Sequence, residues 1–249
     1  CYRYLFETAA KTRDLKGILV LPANDLRQDV LELLSAVSTP AVVLGCTAEA
    51  KPGMDLHFVR PDYIQSGYLM VKRLLDLGHR RIAYVRNEPN VESSRLRYQG
   101  IKQGLYQCGL RLRELTRTPR WTELWEDCAP HARKSTRQLM QDSPPPTGLV
   151  YDSFRGALAG LRAFAELGKS VPADASLVGE GTVDYAWHLH PRITAVEYNM
   201  MAMMEQAFEV LFDHPDTPPE TLIPFRLKRG ESSGAPAAEV LEPAAAATG

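Results

Sequence analysis

Apolar positions recur along this chain with two different spacings, and the stretch from Asp62 to Val85 shows both in succession. Ile64, Tyr68, Val71 and Leu75 fall at i, i+4, i+7 and i+11, which places them on one face of a helix. Asp62 stands at the N-cap position, where a carboxylate accepts from an orphan backbone N–H and meets the positive end of the helix dipole. Gly78 ends the pattern, because a residue without Cβ enters the left-handed region cheaply. Residues 82–85 (Ile-Ala-Tyr-Val) then form a continuous apolar run, the mark of a strand covered on both faces.

The same alternation extends along the chain. Helices are predicted over 4–11, 26–37, 93–108, 128–140, 154–167 and 200–212. Short apolar strands are predicted at 17–21, 41–44, 56–59, 148–151, 175–178, 193–196 and 221–227, with Gly179 closing the strand at 175–178. Residues 86–91 are polar and contain a proline, so they read as a loop or crossover. Residues 110–126 are ambiguous, with Trp121 and Trp125 as loose apolar anchors. Ser143-Pro-Pro-Pro is a hard break. Residues 231–249 are rich in Ala, Pro, Ser and Gly and are predicted to be disordered. Helices alternating with buried strands predict an α/β fold of parallel sheets flanked by helices, with ligands at the strand carboxyl ends.

Composition narrows the function. The 249 residues are 45% hydrophobic and 24% charged, with net charge −1, so the chain carries no phosphate-binding footprint of its own. The four cysteines, Cys1, Cys46, Cys108 and Cys128, make neither a CxxC pair nor a metal spacing, which predicts reduced thiols in a cytoplasmic setting. No apolar stretch reaches the roughly 18 residues of a membrane span. The chain opens at Cys1 without a basic-then-apolar leader, and a fragment or processed product is expected. Nucleophile elbow, zinc-helix, phosphate-loop and dinucleotide motifs are all missing from the sequence, so neither an enzyme nor a cofactor is expected. His188 and His190 have no partner at metal spacing. The methionines at 200, 201, 203 and 204 read as core or dimer packing, with Met200, Met204, Ala207, Phe208 and Leu211 on one helical face. His79, just past Gly78, reads as a structural residue at the negative end of a helix.

Three segments together resemble the effector-binding domain of the lactose/galactose repressor (LacI-type) family. They are Leu77-Gly-His-Arg-Arg-Ile-Ala-Tyr-Val; Ser93-Ser-Arg-Leu-Arg-Tyr-Gln-Gly; and Val171-Pro-Ala-Asp-Ala-Ser-Leu-Val-Gly followed by Pro191-Arg-Ile-Thr. The resemblance covers roughly residues 1–230. It implies a two-lobed, periplasmic-binding-protein-like fold of type I with three crossovers, near 86–91, 196–199 and 218–221. Residues 1–88 plus 198–219 would make an incomplete first lobe, residues 89–197 plus 220–230 a second. Relative to the family, the chain lacks a small DNA-binding head and a central first strand, which would leave Ile18 and Val20 on an unpaired edge.

The resemblance also implies a small polar effector, sugar-like in class, bound between the lobes. Arg97 matches the family's effector arginine; its fork can bond two hydroxyls or one carboxylate, where the ordinary alternative is a surface arginine on a helix. Ser93 opens the same helix and either caps it or faces ligand. Asp62 matches a position lining the cleft. Asp152 and Ser153 follow one strand end and Glu180 and Thr182 follow the next. Tyr198 matches a polar position near a crossover, and Trp125 could stack on a sugar face. Two departures stand out: Gly181 replaces the Asp of sugar-binding members, and Asp152-Ser153-Phe154 replaces their Asn-Asp pair. The expected function is the ligand-sensing domain of a bacterial DNA-binding transcriptional regulator. Its partners would be a small-molecule effector, a second copy in a homodimer, and operator DNA through a head absent from this chain, with no membrane. The alternative is a solute-binding protein of a sugar transport system.

Overall fold

Short runs such as Ala41-Val-Val-Leu and Ile82-Ala-Tyr-Val bury both faces of a strand at once, so each needs a helix on either side. The computed structural model describes residues 2–12, 14–22, 26–46, 56–110, 127–181, 188–212 and 218–237. These divide into two compact units, each with its own parallel sheet. The first comprises Cys1–Asp62, Val91–Ser93 and Tyr198–Phe225, and the second Tyr63–Asn90, Ser94–Glu197 and Arg226–Gly249.

The first unit holds a four-stranded sheet of β1 (Ile18–Val20), β2 (Ala41–Leu44), β3 (His57–Pro61) and β8 (Glu220–Ile223), in that order. All three neighbouring pairs are parallel. The two-residue alternation of a strand separates its core into two faces. Val43 packs with Phe58 and with Leu31 and Leu34 of α2 (Gln28–Ser35), beside Phe6 of α1 (Tyr2–Lys11). Val42, Leu44 and Val59 pack with Met203, Ala207 and Val210 of α7 (Met200–Phe212). Ile18 pairs with Ala41 and Val20 with Val43, and β1 ends the sheet, so among the described residues its other side is the unpaired edge expected for Ile18 and Val20. The buried stripe of α7 is Met203, Ala207 and Val210. Met200 and Phe208, placed on the packed face by spacing alone, are 44% and 47% exposed.

The second unit holds a five-stranded sheet ordered β4 (Ile82–Val85), β5 (Gly148–Tyr151), β6 (Ser176–Glu180), β7 (Thr194–Tyr198) and β9 (Phe225–Lys228). Its first four strands are parallel. On one face, Ala83, Val85, Leu149, Tyr151 and Leu177 pack with side chains of α5 (Cys128–Leu139) and α6 (Phe154–Glu166). The remaining helices here are α3 (Tyr63–Asp76) and α4 (Glu92–Gln107), the latter with its first residues in the first unit.

Several expectations need correction. The boundary placed after residue 88 falls after Asp62, because β4 is hydrogen-bonded to β5 and takes α3 with it into the second unit. The other boundaries lie at Asn90/Val91, Ser93/Ser94, Glu197/Tyr198 and Phe225/Arg226. The single strand predicted over 221–227 is two strands in two different sheets, broken at Pro224, which has no N–H for a ladder. β6 runs through Gly179 to Glu180. The helix stop at Gly78 is as expected, with φ +94° and the N–H of His79 donating to the Leu74 carbonyl. The buried stripe of α3 is Ser66, Gly67, Met70, Val71, Leu74 and Leu75, rotated from the face read in the sequence.

The tail predicted to be disordered from residue 231 is bound to the sheet through residue 234. Ser232 Oγ accepts from the Thr194 N–H and donates to the Leu177 carbonyl, at 2.8 and 2.6 Å. The Leu177 N–H donates to the Ser232 carbonyl, and Thr194 and Ser233 hydroxyls are 2.8 Å apart. Residues 238–249 lie outside the described residues.

His79 ties this tail to the sheet. It is 1% exposed. Nε2 lies 2.9 Å from the Gly234 carbonyl and Nδ1 3.0 Å from Thr147 Oγ1. A carbonyl only accepts, so Nε2 carries the proton and Nδ1 accepts from the hydroxyl. Burial lowers the His79 pKa from its ordinary value of 6.5, with the Gly234 bond opposing that and Arg73 adding to it. A folded-state pKa below the unfolded one means the unfolded chain takes the proton first. Stability is therefore expected to fall as pH drops below about 6.5, by at most about 1.4 kcal/mol per pH unit from this one group. Urea unfolding between pH 7.5 and 5.5 checks this, and His79→Gln should flatten that part of the profile.

Candidate functional site

Parallel strands end on the same edge, so Val85, Tyr151 and Glu180 close β4, β5 and β6 together. The residues that follow, Arg86 to Glu88 and Asp152 with Ser153, lie on that edge as well. Arg97 comes to it from α4, and two glycines determine how closely α4 approaches α3. A Cβ on Gly67 would lie 1.9 Å from the Arg97 carbonyl oxygen, and one on Gly100 would lie 1.9 Å from that of Ile64. The two helix backbones therefore touch at these positions. That contact brings Ser66 of α3 beside the Arg97 side chain.

Arg97 and Glu180 form the centre. Arg97 donates from Nε to one carboxylate oxygen of Glu180 and from Nη2 to the other, a two-pronged pair. The Ser66 hydroxyl donates to the oxygen that Nε also reaches. The side chains of Arg97 and Glu180 are 6% and 11% exposed, so the pair is desolvated on both sides. Burial disfavours the charged guanidinium, but the charge and hydrogen bonds of Glu180 outweigh it and raise the Arg97 pKa. The Tyr63 ring lies against the guanidinium, 5.6 Å from ring centre to Cζ, within cation–π range. Arg97 Nη1 is buried and, among the described residues, has no hydrogen-bond partner; Asp152 Oδ1 lies 3.8 Å from it.

Asp152 forms the second layer. It is 1% exposed and accepts from the Tyr84 hydroxyl and from the backbone N–H groups of Asn87 and Glu88. Burial pushes its pKa well above the ordinary 3.8, against those two backbone donors. Ser153 is the N-cap of α6, accepting from the Gly156 N–H at 3.2 Å and from Asn87 Nδ2 at 2.9 Å.

Of the residues singled out in the sequence, the second unit brings Arg97, Asp152, Ser153 and Glu180 to one edge. Asp62, Ser93 and Tyr198 belong to the first unit. Asp62 follows β3 and donates its backbone N–H to the Ile223 carbonyl. Ser93 lies inside the first turn of α4, which begins at Glu92. Tyr198 ends β7, its ring edge-on to Phe225 at 5.4 Å. Thr182 and Trp125 lie outside the described residues. Sequence reasoning missed Ser66, Tyr63, Tyr84 and Asn87. The one available signal was Ser66-Gly67, a small polar pair interrupting an apolar helical stripe. Among the described residues no group of His, Cys, Asp and Glu is arranged to hold a metal, and no helix is long and apolar enough to cross a membrane.

The model of a periplasmic binding protein-like domain matches residues 71–233. The HTH-type transcriptional repressor PurR of Haemophilus influenzae is 27% identical over 208 residues, which are 83% of this chain and 59% of the repressor. Its counterpart from Mannheimia succiniciproducens is 26% identical over 219 residues, 87% of this chain and 63% of that protein. The chain thus spans about three fifths of the length of the curated relatives it matches. Among solved structures, a sugar-binding LacI-family regulator from Escherichia coli, in complex with phosphate, superposes with a TM-score of 0.76. Its identity is 22%, covering 94% of this chain and 81% of the other. A LacI-family regulator from Enterococcus faecium with bound ribose gives 0.73 at 24% identity, covering 94% and 84%. At that identity these two support the fold alone.

Proposed function

Since the chain belongs to the periplasmic binding protein-like domain family, we propose that it is the ligand-sensing part of a DNA-binding transcriptional regulator. The observation that carries this reading is the buried Arg97–Glu180 pair at the carboxyl edge of a parallel sheet, with Asp152 beside it. Such an edge is where open α/β sheets take small polar ligands, and the charged groups here are oriented in advance by Ser66, Tyr84 and backbone N–H groups. The repressors among its relatives favour a regulator over a transport protein. In this reading a small polar metabolite binds one arrangement of the domain better than another and shifts the population toward it. Operator DNA and a second copy of the chain are the further partners, with DNA read by a part of the protein outside this chain; the setting is cytoplasmic, and no chemical step is performed on the ligand.

A thermal-shift screen of the full-length protein against sugars, sugar acids, sugar phosphates and nucleobases tests this. At least one class is expected to raise the unfolding midpoint, with about 2.7 kcal/mol of stabilisation at a hundredfold excess over Kd. A flat response to every class would remove the sensing function.

A further inference from the structure

Glu180 already occupies the arginine that a negatively charged ligand would need. Two of the three nitrogens of Arg97 donate to Glu180, the Tyr63 ring covers the guanidinium, and the third nitrogen is buried near Asp152. An anion reaching the fork would have to expel the Glu180 carboxylate from its two-pronged bond and from the Ser66 hydroxyl. Such a displacement replaces one buried ion pair by another and leaves a carboxylate unpaired, which is a strongly unfavourable exchange. The other charged side chains here are Glu88, half-buried and close enough to Arg97 to raise its pKa, and Arg86, half-buried with its guanidinium 5.9 Å from the Tyr98 ring centre. Among the described residues, Arg97 Nη1 is the one unfilled donor among the buried side-chain atoms on this edge.

We infer that Glu180 is a specificity-determining residue that closes this site to anions, so that its ligand carries no negative charge and presents hydrogen-bond donors to Glu180 and Glu88. This rests on the sensing role proposed above and narrows it: sugar acids and phosphorylated sugars are excluded, while uncharged polyols and protonated amines are admitted.

Inorganic phosphate is the probe, because it tests the closure without the natural ligand. Arginine side-chain Nε–H resonances of the protein are followed by 15N–1H spectroscopy while phosphate is added against chloride at matched ionic strength. In the wild-type protein the Arg97 resonance, assigned by its loss in Arg97→Lys, is expected to stay in place up to 20 mM (about the weak-binding range of a single surface phosphate contact). In Glu180→Gln, and in the smaller Glu180→Ser, it is expected to shift with saturation at least tenfold below that concentration. Movement of the Arg97 signal in the wild type at low phosphate would overturn the inference. So would failure of both folded variants to gain phosphate binding. If neither variant folds, the wild-type titration alone still decides whether the site is closed. The sensing role fails separately, if no neutral, cationic or anionic compound shifts the melting of the full-length protein.

Discussion

Glu180→Gln is expected to lower the free energy of unfolding by about 3–5 kcal/mol, the usual consequence of removing one partner of a buried ion pair. The variant leaves the Arg97 guanidinium, 6% exposed in its side chain, without the charge that offsets its desolvation. Gln keeps the size and one acceptor, so the loss reports charge more than packing. The double variant Arg97→Met/Glu180→Met removes both charges and should recover most of the loss, since buried pairs exchanged for apolar groups of similar volume are often neutral or stabilising. Urea unfolding of the wild type, Arg97→Met, Glu180→Met and the double variant gives the coupling directly. Additive single-site losses would mean the pair is not the structural centre of the edge.

The second large effect is predicted at the α3–α4 contact. In an open helix, Gly→Ala stabilises by about 1 kcal/mol. At Gly100 the sign should reverse, because the new Cβ would meet the Ile64 carbonyl oxygen at 1.9 Å, and backbone cannot rotate away as a side chain can. A loss of about 3 kcal/mol is expected, at the upper end for overpacked sites. Gly67→Ala meets the Arg97 carbonyl at the same distance and should behave alike. Gly104→Ala meets a Val71 methyl at 2.4 Å, a side-chain atom, and should cost less. Melting midpoints of the three variants check the order. Equal small changes at all three would mean that the helices slide apart freely and that the placement of Arg97 does not depend on these glycines.

The parts of the fold legible in the sequence were those decided locally. Apolar runs such as 148–151 became strands because burial on both faces leaves no polar alternation to read. Gly78, Gly109 and Gly168 ended helices because each takes a positive φ, at +94°, +67° and +65°. The lobe boundary was misplaced because it depends on which sheet β4 joins, and periodicity within α3 and β4 holds no information about that. The start of the tail was misread because its composition is that of a disordered segment, whereas its order comes from Ser232 and Ser233 hydroxyls meeting specific groups on Thr194 and Leu177.

The site was legible in its members and not in their relations. Arg97 stood out through its motif, and Asp152 and Glu180 through their position at strand ends. Nothing in the chain signalled that Glu180, 83 positions away, would fill the arginine fork. That pairing turns an apparent anion receptor into a neutralised one. Ser66 and Tyr84 were invisible for a related reason. A serine in an apolar helical stripe and a tyrosine in a buried strand are both common in cores, and only the tertiary fold supplies the carboxylates they donate to.

The measurement that tests the central claim most directly is a calorimetric titration of the first stabilising compound from the ligand screen, run on the full-length wild type and on Arg97→Lys side by side. Lysine keeps a positive charge for Glu180 but loses the planar fork. A site built around Arg97 predicts that affinity falls by at least tenfold, about 1.4 kcal/mol, while the unliganded variant keeps a cooperative unfolding transition. Equal affinity in the two proteins would contradict the account and place the ligand somewhere other than the carboxyl edge of β4, β5 and β6.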